Sequence, residues 1–363
     1  MKRNRLIAAV IAVLVSGTLL TGCKSADVKY PKGTKTYTFT DDYGREVEVK
    51  KNIKTIVGSG PNTQMILCTV ATDMLVGLNA APTTEQEKYY PADFVDMPTL
   101  GQFYGSKASL NIENLIKASP DIIIDIGEKK EDGASDMDEI QSKTGIATVF
   151  LETSLDSYDS MYKKLGKLLG RSEQADKLVA YCKETSDIAD KAAAKISKKN
   201  RKSVYFGVST TGLNANVEGS IQADVIEKIG ARNAIHTDEE VNGMDGGNPV
   251  DGEAVNKANP DVIVFGPDSP YDTVHKDGQW KEIPAIKKNR YYEAPGEPYS
   301  WMSSTPSVNQ ILGIRWLGKL VYPDLYHNDI RKDAKEFYKL FYHYNLTDGE
   351  LNKMLAKSYG KYA

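Results

Sequence analysis

Cys23 is the residue best placed for covalent chemistry. It closes the run Leu20-Thr21-Gly22-Cys23. Small residues ahead of a thiol leave the backbone open to a peptidase, and the thiol can carry a diacylglyceryl group before cleavage. Each buried CH2 of an acyl chain contributes ~0.8 kcal/mol of membrane affinity, so a multiply acylated Cys23 is a membrane anchor. Catalytic arrangements are not legible. Gly58-Ser59-Gly60 does not complete the G-x-S-x-G turn that presents a nucleophilic serine, and no His-Glu-x-x-His occurs. His236, His275, His327 and His343 are scattered and no CxxC exists, so neither a structural zinc site nor a free zinc or manganese site has its ligands. The carboxylates that stand out are Glu113 and Glu253, which occupy equivalent places in two matching segments.

Several elements must position these residues. Lys2, Arg3 and Arg5 precede the apolar run Leu6 to Leu20, too short for a bilayer span of about 20 residues and typical of an export signal. Residues 1–22 read as that signal and 23–35 as a polar tether. Loss of the three leading cations lowers the formal net charge of −3 by three. No Lys/Arg cluster of the kind that grips phosphate is present, and residues 51 to 170 lack arginine altogether, so nucleic acid is excluded as a partner. The roughly 340 remaining residues can bury two cores. Cys68 and Cys182 lie in apolar surroundings and read as buried free thiols.

Residues 36–49 alternate as a hairpin turning around Asp42 to Gly44. Short apolar strands follow at Thr55–Gly58, Leu75–Leu78, Asp121–Ile126 and Thr148–Leu151, with helices between them. Apolar strands alternating with helices indicate a parallel sheet covered on both faces. Residues 155–201 read as helices: one through Leu169, a break at Gly170, then about 25 residues from an N-cap at Ser172, roughly 38 Å long. The pattern then restarts with a strand at Ser203–Val208, a helix at Gln222–Ile229 and a strand at Asp261–Phe265. Residues 112–124 (IENLIKASPDIII) match 252–264 (GEAVNKANPDVIV), sharing glutamate, lysine, alanine, proline and aspartate at the same offset. The fold class is therefore α/β, with two similar lobes at 36–154 and 202–322. Each lobe is a mainly parallel sheet flanked by helices. One long helix joins them, and a helical tail follows at 323–363. Two such lobes face each other across a cleft at the carboxyl ends of their strands.

The chain resembles the helical-backbone substrate-binding proteins of ABC importers for iron–siderophore, haem, cobalamin and related chelates. The resemblance runs over about residues 36 to 322. It is carried by Thr40-Asp41-Asp42-Tyr43-Gly44-Arg45-Glu46-Val47, Ile56 to Thr63, the two Glu…Pro-Asp units, Gly230 to Ala234, Ile283 to Arg290 and Pro306-Ser307. Trp301 to Pro323, with Phe337 to Leu351, is similar to a branch taking iron chelates or molybdate-type oxyanions. The lipobox at Cys23 resembles that of bacterial lipoproteins. The resemblance implies an exported monomer that is not an enzyme, held by its lipid at the outer or periplasmic face of the cell membrane. Such a protein captures a small metal chelate, needs no cofactor, and docks on a permease dimer. In that family a glutamate on each lobe meets arginines of the permease, and Glu113 and Glu253 match those positions; both also suit a helix first turn.

For the ligand the sequence offers Pro61, Asn62 and Thr63, then Gln102, Phe103 and Tyr104, in the first lobe. The second offers Thr210, Thr211, Asn214, Asn248, Tyr299 and Trp301. Amides and hydroxyls suit an oxygen-rich guest, and aromatic rings give flat apolar area. Trp301, bracketed by Pro298 and Pro306 in what reads as a loop, is the foremost of these candidates, and Trp316 reads as core. No arginine pair falls on a predicted cleft loop, which disfavours a highly anionic siderophore. A neutral or weakly charged chelate, a corrinoid, haem or a molybdate/tungstate-type oxyanion stay open. A surface docking lipoprotein and a hydrolase are the rivals from other classes.

Overall fold

The computed structural model describes residues 27–103, 108–237, 246–302 and 305–359. The predicted hairpin is β1 (Thr36–Thr40) and β2 (Glu46–Lys50), antiparallel with Thr40 opposite Glu46. Its turn is pinned by the Asp41 carboxylate, which accepts from the backbone of Tyr43 and Arg45. β3 (Ile56–Gly58) leads through α1 (Pro61–Ala71) and the short α2 (Thr84–Glu87) and α3 (Ala92–Val95) to α4 (Ile112–Ala118) and β4 (Ile122–Gly127). Then come α5 (Gly133–Thr144) and β5 (Ala147–Glu152). The strands pair in parallel in the order β3-β4-β5. Both faces of β4 are buried, the consequence of its continuous isoleucines. The predicted strand at Leu75–Leu78 is reduced to single bridges, Leu75 to Ile56 and Leu78 to Thr99.

α6 (Tyr158–Leu169) and α7 (Ser172–Ala193) form the connection. They turn at Gly170, which is left-handed, and approach so closely that a Cβ on Gly166 would lie 2.3 Å from that of Ala175. α7 is 22 residues long, about 33 Å. Arg171, not Ser172, occupies its N-cap, without a side-chain cap bond. The helix also ends early, so Lys198–Asn200 form a separate 3-10 turn. It is no free strut. Leu178 and Tyr181 share one apolar core with Ile66 of α1 and with Ile311 and Phe337 of the later helices.

The second lobe contains β6 (Ser203–Val208), β7 (Asn214–Ala215), α8 (Asp224–Lys228), β8 (Arg232–Asn233) and β9 (Asn248–Pro249). α9 (Gly252–Ala258), β10 (Val262–Phe265), α10 (Pro284–Lys287) and β11 (Tyr291–Glu293) follow, then α11 (Asn309–Val321). Its sheet runs β11-β10-β6-β7-β9, with β8 beside β6; β7 and β9 are antiparallel. α12 (Ile330–Phe341) and α13 (Asp348–Leu355) complete the tail. The duplicated segments fold alike in different sheets. Asn111 and Asp251 cap α4 and α9 by accepting from the third residue onward, and Ser119 and Asn259 end them in the left-handed conformation. Cys68 and Cys182 are free and buried.

Candidate ligand cleft

The parallel strands of the first lobe all end at one cavity of about 450 Å3, within the ~300–1,000 Å3 usual for small-molecule sites. After β3 the chain turns through Ser59 and Gly60 into α1, whose first residue is Pro61, where a missing N–H is harmless. A side chain on Gly58 would meet Asn79 and the Gln64 backbone within about 3 Å, so the turn needs glycine. Thr63 is buried and its hydroxyl exchanges hydrogen bonds with the backbone of Ile126 at 3.1 and 3.3 Å, locking α1 to the end of β4. β4 delivers Asp125, which is 8% exposed and accepts from the Ser59 hydroxyl at 2.5 Å. β5 delivers Thr153, Ser154 and Leu155, and α6 contributes the buried Tyr158.

The opposite wall comes from the start of α8 and the loop before α11: Ile221, Asp224, Pro306, Ser307 and Gln310. Gln310 holds this wall by donating to the carbonyls of Ile221 and Met302. The two walls touch where Asn62 donates to the Pro306 carbonyl at 3.0 Å and Ser307 to that of Asn62. A second contact lies elsewhere: Tyr90 and Tyr299 hydroxyls are 2.7 Å apart and Lys88 pairs with Glu297 at 2.9 Å. Toward α7 a separate, more open depression shares Glu128, Ser154, Leu155 and Asp224 and adds Asp156, Asp190, Glu227 and Lys228. Burial, reinforced by the repulsion of Glu128, Glu227 and Asp156, pushes the Asp224 carboxyl up to about 6.

Pro61, Asn62, Thr63 and Gln102 thus stand on the cavity wall. The other predicted contacts do not. Phe103 packs in the apolar cluster of Val57, Leu115 and Ile123. Thr210 and Thr211 are exposed at the far end of β6, the Thr211 carbonyl holding the Trp280 indole. Asn214 and Asn248 belong to the β7/β9 pair, and Tyr299 is spent on Tyr90. Trp301, the foremost ligand candidate, lies in a bend as read but is turned into the core and away from the cavity wall. It is 1% exposed, donates toward the Tyr338 hydroxyl and packs edge-on against Trp316. Its loop folds inward because α11 has Gly313 beneath it, where a Cβ would strike the Trp301 carbonyl. Trp316 is core, as expected. Tyr104 and Cys23 lie outside the described residues. Glu113 and Glu253 are exposed in the first turns of α4 and α9.

Sequence reasoning missed Asp125, Asp224 and Ile221. Asp125 had a signal, a lone acid in an all-apolar strand. The others had none, since the wall they form depends on how the second lobe is rotated about α7.

Comparison with known proteins agrees with this architecture. The sequence pattern described as "Periplasmic binding protein" matches residues 56–298. An uncharacterized ABC transporter substrate-binding lipoprotein of Bacillus subtilis (strain 168), YvrC, is 28% identical over 87% of this chain and 96% of its own length. An ABC transporter solute binding protein from Sulfurospirillum deleyianum DSM 6946 superimposes with a TM-score of 0.79 at 25% identity, covering 88% of this chain and 99% of that one. A periplasmic solute binding protein from Veillonella parvula DSM 2008 gives 0.69 at 26% identity, covering 89% and 98%.

Proposed function

The chain belongs to the periplasmic binding protein family and is an ABC transporter substrate-binding protein; from that premise we propose that it captures a metal chelate in the cleft between its lobes and delivers it to a permease. The observation that carries this reading is the cavity itself, walled by the strand ends of one lobe and by α8 and α11 of the other. A guest there touches both lobes at once, so its binding energy stabilises the closed arrangement that a permease can recognise. Ser59, Thr63, Thr153, Ser307, Asn62 and Gln310 line the cavity with their donors engaged in holding its walls, and Ile66, Leu155 and Ile221 give apolar surface. A preformed lining of this kind suits a bulky chelate with an organic periphery. The relatives are named as substrate- or solute-binding proteins, and the reading here is likewise capture without chemistry.

Glu113 and Glu253 are the docking carboxylates in this reading. They stand on duplicated, identically capped helices, one per lobe, free to pair with cationic permease side chains. Beside Glu113, Ile112 and Ile116 are 39% and 53% exposed, one helical turn apart; at the equivalent α9 positions stand Gly252 and Asn256. The first lobe therefore offers the permease an apolar contact that the second lacks. Anchorage is through acylated Cys23.

The test has two stages. Thermal-shift screening against iron–siderophores, haem, cobalamin, molybdate and tungstate identifies the guest, since a hundredfold excess over Kd adds about 2.7 kcal/mol. The Glu113→Ala/Glu253→Ala variant should then bind that guest as wild type does and fail to support its uptake; loss of binding, or uptake unchanged, refutes the docking role.

A further inference from the structure

The polarity of the cleft selects among guests. The cavity is lined by four carboxylates, Asp125, Glu128, Asp136 and Asp224, against Lys129 and Lys130, and both lysines are occupied. Lys129 pairs with Glu152 at 3.1 Å, and Lys130 is engaged as well. None of the seven arginines after Cys23 is on the lining. Arg45 and Arg315 are buried in their own ion pairs, Arg171 and Arg331 are paired outside, and Arg201 holds the carbonyls of Gly230 and Ala231.

Asp125 differs from the other lining carboxylates in its burial. It is more than nine-tenths buried, lines the cavity, and has no cation within ion-pair distance among the described residues; its hydrogen-bond partner is the neutral Ser59 hydroxyl. A buried carboxylate without a counter-charge is costly unless something completes it, and the cavity is the open side. Low-dielectric walls with a net negative lining focus the field into the cleft. An anion entering it would shed water against carboxylates with no guanidinium to replace that water. The carboxylates are spread over the β4 end, α5 and α8, and among the described residues no group of three forms a metal cage, so the charge acts on a whole complex and not on a bare ion.

We infer that the cleft selects a cationic guest, with Asp125 at the floor and Glu128 and Asp224 at the rim facing its positive charge, and discriminates against anionic chelates and oxyanions. This rests on the cleft being the ligand site.

The experiment separates the two claims. In a Cys23→Ala background Ser154→Cys introduces an accessible thiol on the cavity wall, the native Cys68 and Cys182 being buried. A neutral fluorophore there is quenched by thallous ion, iodide and neutral acrylamide in turn. After normalising to acrylamide, the cation should be favoured by on the order of tenfold at low salt, and the contrast should collapse at high salt. Calorimetry then compares a cationic ferric trihydroxamate, its neutral counterpart, a triply anionic ferric tricatecholate and molybdate. Affinity should fall in that order, and Asp125→Asn or Asp224→Asn should weaken the cationic complex by about tenfold while sparing the neutral one. Equal quenching by both ions, or tighter binding of the tricatecholate or molybdate, overturns the inference whether or not the protein is a chelate receptor. A cation contrast with no chelate bound upholds the polarity and sinks the chelate reading instead.

Discussion

Replacing Arg315 with methionine should cut the tie that makes α7, α11 and the tail one body. The guanidinium is 3% exposed. It donates to Asp333 at 2.9 Å, to the Thr185 hydroxyl at 2.7 Å and to Glu184 at 3.0 Å, and it lies 4.1 Å from the centre of the Tyr181 ring. Methionine fills the stem volume but leaves the Asp333 carboxylate buried with Asn328 as its remaining side-chain donor. Stranding one member of a buried pair costs about 3–5 kcal/mol. At ~2 °C per kcal/mol for a chain of this size, the melting midpoint should drop by about 6–10 °C. Asp333 already titrates above the ordinary carboxyl value because it is buried, with Arg315 opposing that rise; without Arg315 it rises further. A carboxyl raised in the folded state takes up its proton before the unfolded chain does. The deficit is therefore full at neutral pH and narrows as pH falls through the raised Asp333 value toward the ordinary carboxylate range. Adding Asp333→Leu should restore most of the loss, since no charge is then stranded. Calorimetric melts of both variants across that pH range are the assay. An Arg315→Met protein as stable as wild type, a deficit that does not narrow in acid, or a double variant worse than the single one refutes the reasoning.

Two further outcomes follow from burial. Trp280, Trp301 and Trp316 are each no more than 1% exposed, so acrylamide should barely quench native tryptophan fluorescence and should quench it steeply on unfolding; a steep native slope contradicts the inward packing of Trp301. Asp224 titrates near 6 and faces Glu128, Asp156 and Glu227, with Lys228 bridging Asp156 and Asp190 behind it. Above that pH it is ionised and favours a cationic guest; below it the guest loses one counter-charge, so calorimetric affinity should fall through pH 6, and Asp224→Asn should flatten that step.

Much of this molecule is local and was legible in the chain. The hairpin, the β-α-β alternation, the Gly170 break and the repeated Glu…Pro-Asp unit are set by near-neighbour periodicity, caps and turns. α4 and α9 fold alike because Asn111 and Asp251 cap them alike and because Pro120 and Pro260 end them alike. That the first-lobe cleft wall falls at Pro61–Thr63 and Gln102 followed from the rule that ligands meet parallel sheets at their carboxyl ends. The second wall did not follow, since it is made by α8 and the 306–310 segment, which reach the first lobe through the orientation of a whole lobe on α7. Trp301 shows the same limit from the other side. Prolines at 298 and 306 describe a loop but not the direction it takes, and that direction was decided by Gly313 and the tail helices, distant in sequence. Charge divides the same way: the chain determined how many carboxylates and arginines exist, while only tertiary packing could spend the arginines elsewhere and leave Asp125 and Asp224 facing the cleft, because pairing partners are chosen across space and not along the chain.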